Sequence, residues 1–393
     1  MWVRHGGAAL RAGSIAAAVL ALSACGWFGG EEIEDPPAEL VKFKSTLRIK
    51  KVWSDSVGDG TKALRLALAP ASDGSVIYAA AHDGKVTAYE AVKGRKLWRR
   101  KTKLPLSAGP GIGESLLVLG SNNGDVVALN REDGTTRWRA GVSSEVLAAP
   151  ALTDDLALIR TVDGKLIALK LSDGSEAWFA QQTIPRLTVR GTSAPVIRGN
   201  VVVCGFDNGK LAAYSISDGS LLWEVLLTPP SGRTEIDRLS DLNADVQLVG
   251  EDIYAAGYQG GLSSLAVESG QILWTREIAS HAGMASDFLN LYVAGRKSSL
   301  YAIARSTGRE MWRSDSLLNR DISGPAAFGN SVVVGDFEGY LHFFSASTGK
   351  LRTRVRAGSD RVAAPPLVVN ELIYVFTDSG KLFAFRDATP EEK

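Results

Sequence analysis

Cysteine, histidine and long apolar runs are all scarce in this chain, and each scarcity excludes something. Its 393 residues include two cysteines, Cys25 and Cys204, and four histidines, His5, His82, His281 and His342. The histidines show no metal-ligand spacing. No Gly-x-Ser-x-Gly elbow and no Gly-x-x-x-x-Gly-Lys loop occurs, so serine hydrolysis and nucleotide phosphate binding lack their usual residues. The apolar run from Ser14 to Leu22 is about half of what a bilayer-spanning helix needs. A formal charge of +1 gives no sign of a nucleic-acid partner.

At the N-terminus, Arg4, His5 and Arg11 precede that apolar run, which is the pattern of a secretory leader. Residues 1–24 contain no Asp or Glu, so their removal takes Arg4 and Arg11 away and turns +1 into −1. The following Leu22-Ser23-Ala24-Cys25 resembles a lipobox, in which the cysteine becomes the acylated first residue. Gly26 rather than Asp follows it, which favours the outer membrane, facing the periplasm. Acylation of Cys25 leaves Cys204 no partner for a disulfide, and within Val201-Val202-Val203-Cys204 it reads as a small buried hydrophobe. Residues 25–45 are rich in Gly, Pro and Glu and read as a lipidated end and flexible tether.

One pattern then recurs through the chain: Gly-x-(Leu/Val), apolar alternation, a turn Gly, and Trp four residues later. It runs from Gly84 through Gly94 to Trp98, and from Gly124 through Gly134 to Trp138. Copies ending at Trp178, Trp223, Trp274 and Trp312 follow, the last with Ser298 for the first Gly, and a seventh copy places Thr353 where Trp is expected. Turn pairs such as Asp83-Gly84 and Asn208-Gly209 sit between alternating segments, so the unit is antiparallel β. Upstream of each first Gly a short strand is expected to end in small residues and Pro, as in Ala148-Ala149-Pro150 and Ser193-Ala194-Pro195. A period of roughly forty residues is that of a propeller blade.

An eighth copy begins at Gly380-Lys381-Leu382, but the chain runs out before its Trp strand. Trp53 stands alone at the other end. Residues around Leu47 to Asp55 are therefore expected to supply the missing outer strand, which leaves no half-made edge. The expected fold is all-β: an eight-bladed β-propeller over residues 46–387, closed by this N-terminal strand, with residues 388–393 as a tail. The regularly spaced Trp rings read as wedges between blades rather than as binding anchors.

Spacing also marks where the repeat is broken. Successive Trp residues are 40 apart from Trp98 to Trp178, but 45 apart from Trp178 to Trp223 and 51 from Trp223 to Trp274. The extra residues fall in two successive connectors, expected side by side on one face, and long loops on a rigid scaffold are where binding residues collect. The first offers Arg186 and Arg190 beside Leu187 and Val189; the second offers Asp237, Arg238, Asp241 and Asp245. An apolar centre with Arg beside it suits an interface. The same residues are placed to knit the loops together, and both roles are compatible.

The Gly-x-x-x-Trp ending resembles the tryptophan-docking repeats of pyrroloquinoline-quinone dehydrogenase-like propellers. WD40 repeats differ, because Arg99, Arg139, Phe179 and Glu224 follow Trp here where they carry Asp. With the lipobox, and with two segments, Leu187-Thr188-Val189-Arg190-Gly191-Thr192-Ser193-Ala194-Pro195 and Glu235-Ile236-Asp237-Arg238-Leu239-Ser240-Asp241-Leu242-Asn243, the mature chain is similar to the BamB family of outer-membrane assembly lipoproteins. The resemblance implies a non-enzymatic scaffold without a cofactor, binding the POTRA domains of BamA and, through it, the other Bam lipoproteins, and aiding the delivery of unfolded outer-membrane proteins. It assigns partner contacts to Leu187, Val189, Arg190, Asp241 and Asn243, the last standing where the family often has Asp. Two rival readings are a quinone-dependent dehydrogenase-like enzyme, which typically has an adjacent cysteine pair that this chain lacks, and a periplasmic carbohydrate-binding propeller.

Overall fold

In the computed structural model, the described residues are 1–2, 35–61, 64, 66–188, 193–229, 233–234, 239, 241–242, 246–258 and 260–390. Residues 3–34, with most of the expected leader and the expected acylation site Cys25, lie outside them. Among the described residues the strands form eight sheets, each with four antiparallel strands, which follow in sequence order in seven of them. Blade 1 spans residues 71–101, blade 2 106–141, blade 3 151–181, blade 4 196–226, blade 5 247–276, blade 6 280–314 and blade 7 326–356. One addition was not expected from the sequence: Ala67–Leu68 pairs in parallel with the innermost strand of blade 2.

Blade 8 joins the two ends of the chain. Its inner three strands are Leu367–Val369, Leu372–Phe376 and Lys381–Asp387, and its outer strand is Ile49–Ser56, paired antiparallel from Ile49↔Asp387 to Ser56↔Lys381. The closure inferred from the unpaired Trp53 is thus present in the register itself.

The third strand of each blade is buried nearly throughout, as in Lys85–Glu90 and Asp125–Asn130. The core is not one mass but a series of wedges between neighbouring blades: Leu158, Ala168, Val202 and Ala212 pack across blades 3 and 4, and Val203, Leu211, Ile253 and Leu265 across blades 4 and 5.

Seven of the eight wedges are pinned at their outer end by a Trp. The Trp98 indole N–H donates to the Arg131 carbonyl of the next blade at 3.0 Å, Trp138 to Leu171 at 2.8 Å, and Trp223 to Val267 at 2.9 Å. The same bond is made by Trp53, Trp178, Trp274 and Trp312. The ring lies on the turn Gly of the following blade: a Cβ on Gly134 would stand 2.6 Å from Trp98 Cε3, and φ there is +72°. Both the left-handed backbone and the absent side chain are needed. A bulge one residue before the Trp, as between Thr136 and Trp138, re-aims the side chain toward its neighbour. It leaves the bulged residue outside, which is why Leu222, Leu273 and Met311 are exposed.

This geometry explains Thr353. The Trp of one blade docks on the turn between the third and fourth strands of the next, and blade 8 has no such turn because those strands come from opposite ends of the chain. A segment ahead of the closing strand fills the seam instead: Thr46 N–H donates to the Arg352 carbonyl at 2.8 Å, Ser45 Oγ meets Thr353 Oγ1 at 3.3 Å, and buried Leu47 packs with Phe383 and Phe385.

Two boundaries differ from expectation. Residues 38–45, expected as tether, are docked: Ala38 N–H donates to the Leu318 carbonyl, Arg320 donates to the Ala38 carbonyl, and Leu40 packs on the core between blades 6 and 7. The compact unit accordingly starts at Ala38 rather than at Thr46. The small-residue-Pro segments also do not end strands; inner strands begin after the Pro, at Ala71, Ala151, Val196, Ala326 and Leu367. Proline has no N–H to give a ladder, so it stands at the strand entrance.

Candidate partner-binding face

Each outer strand and each turn between a second and third strand finish at the same end of a blade, so the connectors and these turns share one face. The first long connector, 182–195, leads from Glu176–Gln181 of blade 3 to Val196–Arg198 of blade 4; the second, 227–246, leads from Leu221–Leu226 to Gln247–Val249 of blade 5. The spacing excess therefore falls where the sequence placed it.

Both connectors are seated on the turns beneath them. Asn208 Nδ2 donates to the Thr183 carbonyl at 3.0 Å, Leu242 N–H to the Phe206 carbonyl at 3.3 Å, and Tyr258 N–H to the Asp241 carbonyl at 2.9 Å. They meet at Gly205, where an added Cβ would stand 3.1 Å from Leu242 Cβ and 3.4 Å from Ser193 Oγ. Ser193, Thr228, Asp241, Leu242 and Val246 are buried and act as feet. Leu187, in contrast, is 46% exposed beside exposed Pro185 and Arg186.

Of the five expected partner residues, Leu187 and Asp241 are described, whereas Val189, Arg190 and Asn243 lie outside the described residues. Leu187 presents itself to solvent as an interface residue would. Asp241 does not: at 0% exposure it belongs to the connector's foot. Buried there, it is placed to knit the connector to the turns beneath it.

The floor beneath the connectors carries a pair the sequence reading missed. Arg160 closes the second strand of blade 3 and is buried, its guanidinium 2.8 Å from Asp207 in the blade 4 turn. Its Nε donates to the Gly205 carbonyl at 2.9 Å, and its guanidinium lies over Phe206. An ion pair this deep costs desolvation and survives only with its hydrogen bonds made, so it locks blade 3 to blade 4 below the first connector. The signal was available: four positions before the first repeat residue stand Ala80, Gly120, Gly205, Ala256, Ala294 and Gly335, with Phe376 in the eighth copy, but a charged Arg160 in the third. Neighbouring Cys204 is fully buried, as expected, and burial pushes its thiol up to about 12.

A second buried network lies at blade 7, where Asp336 takes Arg320 Nε and His342 Nε2, each at 2.9 Å. Burial alone would raise the Asp336 carboxyl, but His342, the Tyr340 N–H and Arg320 together hold it below the usual carboxylate range. Burial pushes His342 down despite that carboxylate. His82 bonds the Leu106 carbonyl. Among the described residues no group of three His, Cys, Asp or Glu is arranged to hold a metal ion.

A family model described as outer membrane protein assembly factor BamB matches residues 82–314 and 296–392. The chain belongs to the BamB family of outer-membrane protein assembly factors. BamB of Pseudomonas aeruginosa is 47% identical, with 93% of this chain and 96% of the relative aligned. BamB of Xanthomonas campestris pv. campestris is 38% identical, over 96% of this chain and 97% of its own length. The crystal structure of BamB from Moraxella catarrhalis covers 86% of this chain and 100% of its own, with a TM-score of 0.78 at 23% identity, and speaks for the fold. So does the quinohemoprotein alcohol dehydrogenase from Comamonas testosteroni, at a TM-score of 0.68 and 13% identity, covering 88% of this chain and 77% of its own. The BamB relatives are named as assembly factors, and the dehydrogenase likeness extends to the propeller alone.

Proposed function

We propose that this BamB-family chain is a scaffold lipoprotein on the periplasmic face of the outer membrane, acylated at Cys25, that binds the POTRA domains of BamA through its two long connectors. Through BamA it joins the other Bam lipoproteins and aids the delivery of unfolded outer-membrane proteins. The observation that carries this reading is the pairing of the connectors: the intervals Trp178 to Trp223 and Trp223 to Trp274, stretched to 45 and 51 residues, are adjacent, rest on the same blade 4 turn and meet at Gly205, whereas the 45-residue interval from Trp53 to Trp98 stands apart from them. They also contain the segments that resemble the family's partner-binding stretches.

Leu187, Val189 and Arg190 form the centre of this site. Asp241, buried at the foot of the second connector, orients it, and Asn243 completes the set of contact residues. The blade-to-blade floor under Gly205 fixes the connectors' buried feet, Ser193, Asp241 and Leu242, before a partner arrives, which limits the ordering cost of association.

Two measurements test the reading. The unacylated mature chain is mixed with the isolated POTRA domains of BamA, and saturable binding is expected; absence of binding overturns the partner. Intact-mass analysis of protein from the membrane fraction should show an acylated Cys25, and a free thiol there overturns the anchor.

A further inference from the structure

Charge is segregated around the rim. The outer strands of four consecutive blades, 7, 8, 1 and 2, carry eleven Lys or Arg, three, two, four and two respectively, against the single acid Asp55. The outer strands of blades 3 to 6 carry two Arg against three Glu. Asp55 engages Lys96 at 2.8 Å and Arg99 at 3.5 Å, whereas Lys50, Lys51, Arg100 and Lys101 stand exposed around it. The docked segment ahead of the closing strand adds exposed Lys42, Lys44 and Arg48 to the same half. A chain of net charge +1 has thus gathered most of its excess cations on one side.

We infer that this basic rim, centred on the seam between blades 8 and 1, rests on an anionic phospholipid surface. Two features point to a bilayer as the occupant. The charge is spread along an edge of several blades rather than gathered in a pocket, which suits a broad surface of negative headgroups. The docked segment starts at Ala38, at the boundary of blades 6 and 7, and runs on to the closing strand of blade 8, and twelve residues separate it from Cys25, a span of at most roughly 45 Å when extended. This second feature rests on the acylation of Cys25 proposed above; the charge segregation does not.

The test uses the mature chain from residue 26 without an acyl group, and vesicles of phosphatidylcholine alone or mixed with phosphatidylglycerol. Sedimentation should show binding to the mixed vesicles and not to the neutral ones, with loss at high salt as screening shortens. Each Lys or Arg near such a surface contributes roughly fivefold to binding. The triple variant Lys50→Glu, Lys51→Glu, Arg100→Glu should therefore bind about a hundredfold more weakly at least. The neutral triple Lys50→Gln, Lys51→Gln, Arg100→Gln should fall between it and the parent. The double variant Lys170→Glu, Arg309→Glu, on blades 3 and 6, should match the parent. Melting curves identify any variant that does not fold, and the Gln triple keeps the test open if the Glu triple fails. Equal binding to neutral vesicles, an equal loss in the blade 3 and 6 control, or rim-dependent capture of an acidic protein without vesicle binding would each overturn the inference. Because the protein tested carries no acyl group, such a failure leaves the anchor at Cys25 standing, and the mass measurement judges that separately.

Discussion

Seven seams of the ring repeat one device, a Trp ring on a left-handed Gly with its N–H on a carbonyl of the next blade. The pair of connectors between blades 3, 4 and 5 repeats nothing. Buried feet such as Ser193 and Leu242 hold them, and Leu187 is left outside. The seams spend aromatic surface on packing, so an aromatic residue there says little about partners. The connectors depart from the period at no cost to the seams, because their feet settle on turns that every blade already has. In the proposed reading stability and recognition are carried by different residues, and substitutions in one region should leave the other's property unchanged.

The largest effect expected on the seam side comes from the chain ends. Deletion through Pro37 removes nothing from the compact unit, whereas deletion through Ser56 strips blade 8 of its outer strand, Trp53 and Leu47. One buried Trp alone is worth about 3 to 5 kcal/mol, so the longer deletion should lower urea stability by more than that, and equal midpoints would contradict ring closure. Next, Trp138→Ala, at a ring that is buried, should cost about 3 to 5 kcal/mol while leaving POTRA affinity intact in a correctly folded sample. Gly134→Val should cost about 2 to 4 kcal/mol, since it forces a β-branched residue to positive φ and a methyl into Trp98.

A smaller effect separates the seventh blade from the others. His342 is buried and pushed below its ordinary value of 6.5, so the unfolded chain binds its proton more readily. Its contribution is fully present above about pH 6.5 and declines as pH falls toward the folded value. The melting temperature should therefore drop on acidification below that point, and His342→Gln should flatten this part of the profile. The lowered Asp336 carboxyl acts in a more acid window, present above the usual Asp value and lost as pH falls through the folded one. An unchanged acid slope in the His342 variant would remove the blade 7 network from the account.

The repeat made most of the fold legible, because a Gly-to-Trp interval fixes strand, turn and docking residue together. Trp53 at one end and the truncated copy after Gly380 at the other revealed the closing strand, and Thr353 pointed to the seam that lacks a docking turn. Less was legible where side chains act across blades. Nothing in a Gly- and Pro-rich segment announces that Ala38 and Thr46 will find carbonyls on Leu318 and Arg352, nearly the whole chain away. Connector positions were legible from spacing, but not the division within them: Asp241 reads as a surface charge and is buried. The Arg160 and Asp207 pair was visible only as a charged residue where its counterparts are Gly, Ala or Phe.

The central claim is that the connectors bind and the seams merely hold. Arg190→Glu tests it most directly, with melting temperature and affinity for the BamA POTRA domains measured on the same preparation. Losing a central Arg costs about 2 kcal/mol or more, roughly a thirtyfold weakening, and charge reversal adds to it. The account predicts a parental melting temperature with affinity lowered at least that far. Parental affinity at a parental melting temperature would contradict it, and a much lower melting temperature would show that Arg190 knits the connectors together instead.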